Sequence, residues 1–165
     1  MFHKVDPKRW ARTCFPSSGQ VDAHHRRKPG AVQHHDGLLG RAGRDLGAPA
    51  ATCYIRPQRY TKEFVGREEY FTLCFFGEEY RKALSLCGSK SGRDVDKVKE
   101  CGFTVQAAEC GAPYFDQAEL VLVCRKRFAQ PMDPANIPQD VKEKWYPQQD
   151  YHTMYIGQIV EVLAR

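Results

Sequence analysis

Apolar and polar positions follow two different patterns along this chain, and the change comes near residue 48. Ala50–Ile55 is an apolar run that reads as a strand. Tyr60–Val65 fits one or two helical turns, and Tyr70–Phe76, rich in aromatic residues, predicts a strand through the core. Glu78-Glu79 opens a helix that runs to about Leu86, with acidic residues at its positive end. That helix places Tyr80, Ala83, Leu84 and Cys87 on one face. Gly88–Asp94 is a loop, and Asp94–Glu100 is a short polar helix ended by Gly102. Phe103–Ala108 is a weak strand and Ala118–Phe128 a long one, apolar at first and then basic. Val141–Trp145 is a helical turn bounded by Pro138 and Pro147. His152–Leu163 alternates and makes a final strand. The expectation is a mainly β chain with short helices, an α+β domain built on a barrel.

From Thr13 to Gly47 neither period emerges. Phe15 is the only aromatic residue there, and glycines fall at 19, 30, 37, 40, 43 and 47. Composition predicts loop or disorder. The chain therefore divides into an irregular segment, 1–47, and one folded domain, 48–165.

Charge sharpens this division. The net charge is +5. Residues 1–47 hold nine lysines and arginines against four aspartates, so the whole excess lies there. A basic chain suggests nucleic acid, but Arg26-Arg27-Lys28 has no aromatic residues interleaved with it, and no stacking platform forms. Nucleic acid is not an expected partner. No apolar run is long enough to span a bilayer, and the charged start, Met1 to Trp10, has no secretory h-region. A cytoplasmic protein without membrane contact is the simplest reading. The seven cysteines are odd in number and lack C-x-x-C spacing, against a disulfide framework or a zinc ribbon. Cys87, among Ser, Lys and Arg, is the candidate reactive thiol.

The first candidate for chemistry is Arg56-Pro57-Gln58-Arg59-Tyr60-Thr61. Pro57 fixes its own φ and keeps Arg56 out of the helical region. Two guanidinium forks and a hydroxyl on a stiff turn suit a phosphate or a carboxylate; a plain surface turn carries the same residues. The second is Cys87-Gly88-Ser89-Lys90-Ser91-Gly92-Arg93-Asp94, a backbone nest with hydroxyls and cations, or a Gly-rich helix end. Its glycine spacing is not that of a Walker motif.

Six ordered blocks together resemble the flavin reductase-like, FMN-binding split-barrel family, flavoredoxins included. They are Ala51-Thr52-Cys53-Tyr54-Ile55-Arg56-Pro57-Gln58-Arg59-Tyr60-Thr61; Tyr70-Phe71-Thr72-Leu73; Phe75-Phe76 with Tyr80-Arg81-Lys82-Ala83-Leu84; Cys87 to Asp94; Ala112-Pro113-Tyr114-Phe115 leading into Ala118-Glu119-Leu120-Val121-Leu122; and Asp150-Tyr151-His152 with Met154-Tyr155-Ile156-Gly157. The resemblance implies a six-stranded split barrel, a homodimer, and FMN near the dimer interface. It implies an oxidoreductase in which hydride passes from NAD(P)H to FMN and electrons leave to an acceptor. The cofactor carries that chemistry, so no acid–base triad is expected. By the same resemblance Arg56, Pro57, Gln58, Arg59, Tyr60 and Thr61 form the flavin-phosphate turn. Cys87, Ser89, Lys90, Ser91, Gly92 and Arg93 form a second cofactor-facing loop. His152 lies near the flavin edge, with Tyr114 and Phe115 lining the ring site or the core. Two other readings stay open: a non-catalytic FMN electron carrier, and an inactive product impaired in flavin binding.

The family's strand and its N-T-M-T-A-S-W-G-G-L-G loop, expected before the Arg-Pro turn, are missing. With one choice of codons, Val21–Lys28 read one base later becomes W-M-L-I-T-A-G, and Gln33–Arg44 becomes N-T-M-T-A-S-W-G-G-L-G. The expectation is that about Thr13 to Asp45 is translated out of frame, with the frame restored near Gly47, leaving the first barrel strand and its loop disrupted. The pairs His24-His25 and His34-His35, which look like metal ligands, are then accidental, and no metal is expected.

Overall fold

A computed structural model describes residues 1–8, 32–33 and 41–165, with side chains for 1–8 and 46–165. Cys14, both histidine pairs and Arg26-Arg27-Lys28 lie outside the described residues.

Four long strands carry the fold: β4 (Ala48–Ile55), β5 (Tyr70–Phe76), β8 (Leu120–Pro131) and β9 (Thr153–Ala164). Three short ones, β1 (His3–Val5), β2 (Val32–Gln33) and β3 (Arg41–Asp45), join them in one antiparallel sheet. The order is β2-β5-β8-β9-β4-β3, and β1 pairs with the end of β9 that β4 does not reach. Within the segment expected to be irregular, the described residues form strands at 32–33 and 41–45. Leu46 and Gly47, both at positive φ, turn β3 into β4. A tight reversal is enough to pair a segment whose composition shows no alternation.

β8 is buried on both faces for its first half, and its side chains serve two cores. Leu122 and Cys124 join Ala51, Ile55, Phe71 and Tyr155. With Ile159 and Val162 of β9, these residues make one continuous apolar face across β5, β8, β9 and β4. Register shifts between Val123 and Cys124, and between Lys126 and Phe128, bend β8, as bulges do. Gly157 permits the closest approach: a Cβ there would meet Cys124 Cβ and Phe71 Cζ, each at 2.7 Å.

Val121 and Val123 point the other way, into a cluster with Phe76, Leu84 and Phe103. Over that cluster lie α2 (Arg81–Ser89) after a 3₁₀ turn at Glu78–Tyr80, α3 (Lys97–Glu100) and the hairpin β6 (Val105–Ala107) and β7 (Pro113–Phe115), whereas α1 (Thr61–Arg67) sends Val65 into the first cluster. Phe76 and Phe103 stack at 5.2 Å between centroids, and Phe103 meets Phe115 at 4.9 Å. α3 is shorter than the sequence predicts; Asp96 caps it by accepting from Lys99 N at 3.1 Å, and Gly102 ends it at φ +65. α4 (Gln139–Trp145) sits before β9. Among the described residues no helix is long and apolar enough to cross a membrane.

Candidate functional site

β4 ends at Ile55 and the chain turns at once. Arg59 N donates to Arg56 O at 3.1 Å, with Pro57 second in the turn, and Lys62 N to Arg59 O at 2.9 Å starts α1. Arg56 and Arg59 occupy the two ends of this turn, and their side chains go opposite ways. Arg56 turns back onto α4 and the chain after it. It pairs with Asp150, donates from Nη2 to Trp145 O at 2.8 Å and lies over the Tyr146 ring at 5.2 Å. Arg59 reaches forward and donates from Nη1 to Gly88 O at 2.6 Å.

The second candidate segment is helical for longer than its glycine suggests. α2 continues through Cys87, Gly88 and Ser89, with Lys90 N donating to Leu86 O at 2.9 Å. Ser89 Oγ bonds back to Ser85 O at 2.9 Å. Only from Lys90 does the chain become a loop. There Asp94 N donates to Ser91 O at 3.1 Å, and Arg93 N to Ser91 Oγ at 3.2 Å. The Arg93 side chain pairs with Glu63 and covers the Tyr60 ring at 4.6 Å. Gly92 lets the loop approach that ring, since a Cβ would meet Tyr60 Cδ1 at 3.2 Å.

Between these segments, β5 and the β6–β7 hairpin lies a cleft of about 730 Å³. It brings together Gln58, Arg59, Tyr60 and Thr61 from the turn, and Cys87, Ser89, Lys90, Ser91 and Gly92 from the second segment. Tyr114 and Phe115 line it as well. Arg56, Pro57, Arg93 and His152, expected beside the others, do not line it. Arg56 and Arg93 are committed to the carboxylates of Asp150 and Glu63. Lys97 and Phe64 line the cleft and were not expected. Lys97 reaches it because α3 folds back under α2, where Nζ donates to Cys87 O at 2.5 Å. Nothing in the local pattern at 94–100 distinguishes Lys97 from its neighbouring lysine.

The lining of the cleft is one-signed. Among the described residues that line it, Arg59, Lys90 and Lys97 are the cations and there is no carboxylate, while Thr61, Ser89 and Ser91 add hydroxyls. Aromatic side chains make much of the remaining wall. A second hollow, about 660 Å³, is lined by Glu79, Asp116 and Glu119 with Arg165 as the only cation among the described residues, and does not favour an anion. Among the described residues no three ligand-type side chains gather to hold a metal.

His152 lies in a separate, buried cluster. Its Nδ1 is 2.8 Å from the Tyr146 hydroxyl, and burial, with Arg56 nearby, lowers its pKa from the ordinary 6.5. Burial pushes the Asp150 carboxyl up, but Gln58 Nε2 at 2.6 Å and Arg56 outweigh it, and its pKa falls below the ordinary 3.8. Cys87 is not an activated thiol. Burial and the neighbouring Cys101 push it up to about 12, against the pull of Lys97.

The pattern described as "Flavin reductase like domain" matches residues 46–165. This chain belongs to that family. The match covers all of the cleft and starts at the β3–β4 turn. Solved structures show the same fold, a split barrel. The FMN-binding protein of Thermus thermophilus with bound p-hydroxybenzaldehyde superposes with a TM-score of 0.62 at 16% identity, over 92% of this chain and 81% of that one. Flavoredoxin of Desulfovibrio vulgaris (Miyazaki F) gives 0.60 at 18%, over 88% and 75%. Flavoredoxin from Methanosarcina acetivorans gives 0.58 at 20% over 76% of this chain, which spans 57% of that flavoredoxin's length. No curated protein matches. Within the flavin reductase like domain described here, the cleft's donor set fits a ligand with a flat aromatic part and a phosphate: cations and hydroxyls without carboxylates, beside aromatic walls.

Proposed function

We propose that this flavin reductase like domain binds FMN in the cleft and passes electrons from NAD(P)H through FMN to an acceptor. The observation that carries the reading is the lining of the cleft, with Arg59 and Lys90 from the two segments singled out in the sequence, Lys97 from α3, and no carboxylate among the described residues that line it. When bound, FMN supplies the hydride acceptor and the outlet for electrons. The chain's own part is to bind, orient and exclude water. Arg59, Lys90 and Lys97, with the hydroxyls of Thr61, Ser89 and Ser91, hold the phosphate. Tyr114 and Phe115 give the ring an apolar wall. Arg59, tied to Gly88 O, keeps the turn and α2 at a fixed separation, so the donors are set before the ligand arrives. A homodimer belongs to the same proposal.

The test is flavin content. The purified chain, loaded with FMN and passed through gel filtration, is expected to keep flavin absorbance and to oxidise NADH or NADPH. Retained FMN without nicotinamide turnover assigns the chain as an electron carrier instead. Failure to retain FMN overturns the proposal and leaves an inactive product.

A further inference from the structure

Two thiols meet at the edge of the cleft. Cys87, in the last turn of α2, lines it, and its Sγ is 3.6 Å from Sγ of Cys101, the residue that ends α3. Cys101 Sγ also lies 3.5 Å from Ala83 O, so its side chain is held against α2. Both residues are half-buried. Neither has a disulfide partner at present. Sulfurs in van der Waals contact need close by only about 1.5 Å to reach bonding distance. The stretch between them, 88–100, carries Lys90, Ser91 and Lys97, three of the groups that line the cleft.

We propose that Cys87 and Cys101 form a reversible disulfide by exchange with a low-molecular-weight disulfide, and that closing it fixes the 88–100 segment and tightens ligand binding in the cleft. Cys87 faces the cleft and is the sulfur an incoming disulfide meets. Its thiolate attacks one sulfur of the reagent, a mixed disulfide forms, and one small thiol leaves. The Cys101 thiolate then attacks Cys87 Sγ, the Cys87–Cys101 bond forms, and the second small thiol leaves. Two protein thiols are oxidised and one small disulfide is reduced to two thiols, which take up the two protons. The elevated pKa of Cys87 keeps it protonated near neutral pH, so exchange is slow and the reduced pair persists until the oxidant is sustained. A segment already held in place loses less freedom when a ligand binds.

The effect on binding rests on the proposed FMN site; the disulfide itself does not. The full chain is incubated with oxidised glutathione, alkylated and mapped by mass spectrometry, and FMN is titrated into the oxidised and reduced forms. The expected product is a peptide pair joined through Cys87 and Cys101, with FMN bound about fivefold more tightly in the oxidised form. In Cys101→Ser the bridge is lost and Cys87 keeps the mixed disulfide with glutathione. Free Cys87 and Cys101 after prolonged incubation, or bridges to other cysteines, overturn the disulfide whatever FMN does. A bridge with equal FMN affinity in both forms overturns the coupling. A bridge in a chain that binds no FMN in either form overturns the coupling and, separately, the FMN reading.

Discussion

Arg59 Nη1 donates to the carbonyl oxygen of Gly88 at 2.6 Å, joining the turn after β4 to the last turn of α2. This bond sets the separation of the two segments that supply the cleft's cations and hydroxyls. Arg56, at the other end of the same turn, is held by Asp150 and Trp145 O. The two arginines therefore serve different ends. Arg59→Ala is expected to weaken FMN binding by roughly 10- to 100-fold, the worth of a charge-assisted hydrogen bond. Arg56→Ala is expected to lower the unfolding midpoint and leave FMN affinity of the folded protein unchanged. Fluorescence titration and thermal unfolding of both variants distinguish these roles, and equal losses of affinity would count against the assignment.

Gly157 lets β9 pack closely on Cys124 and Phe71. Gly157→Ala puts a Cβ within 2.7 Å of Cys124 Cβ and Phe71 Cζ, one on the central strand and one on β5. Neither the strand backbone nor a buried ring yields cheaply. The variant is expected to lose about 1–3 kcal/mol of stability, read by urea unfolding. A change within error would show that β9 stands further from β8 than described.

The elements visible in the sequence are those whose side chains repeat. β5, β8, β9 and the apolar face of α2 have sustained apolar patterns and were legible within a few residues. β6 falls within the weak strand expected at Phe103–Ala108, but its partner β7 is not legible, because its three residues are held by β6 and by the Phe76–Phe103–Phe115 packing. Gly88 was read as loop, yet Leu84 and Cys87 packing beneath α2 carries the helix through it. For the site, the turn and the Cys87–Gly92 stretch were recognisable by residue type. The diversion of Arg56 was not, since Asp150 lies 94 positions away. The arrival of Lys97 depends likewise on how α3 folds under α2.

The buried cluster around His152 makes stability depend on pH. The His152 pKa is lowered in the fold, so below about 6.5 the unfolded chain takes up a proton that the folded one refuses. Stability from this group is full above that pH and falls as the pH drops from 6.5 towards the folded value. Asp150, also lowered, adds a second loss below 3.8, completed as the pH falls through its folded value. Thermal midpoints measured from pH 8 to pH 3 should therefore decline in two steps. His152→Asn, whose amide can either donate to or accept from the Tyr146 hydroxyl, is expected to remove the first step and keep the second. A first step that persists in His152→Asn assigns it to another group.

Leu46 holds φ +48 beside Gly47 at φ +77, the sign pattern of a type I′ hairpin turn. Leucine is poorly suited to the first of these positions, and its side chain is exposed. Leu46→Asn is expected to raise stability by about 1 kcal/mol, because a short polar side chain that hydrogen-bonds locally tolerates the left-handed region better than leucine does. The midpoint of thermal unfolding reads it, and a fall in Leu46→Asn would mean that the leucine side chain packs in the intact protein.

The same turn marks where the family match begins, at residue 46, beside Gly47, where the reading frame is expected to resume. Residues before it lack the apolar strand and hydroxyl-rich loop that the resemblance calls for, yet with one choice of codons the one-base-shifted readings of Val21–Lys28 and Gln33–Arg44 supply both in order. An added apolar strand would cover an edge of the sheet and enlarge the core, and the loop would add small hydroxyl residues beside the Arg59 turn. The gene is therefore expected to carry a compensating pair of single-base changes, one near the codon for Thr13 and one near that for Gly47. A chain with the shifted frame restored between them should unfold at least about 4 °C higher, the equivalent of roughly 1–2 kcal/mol, and keep more FMN through gel filtration. An uninterrupted frame in the gene, or a restored chain no more stable and no richer in flavin, would remove the explanation.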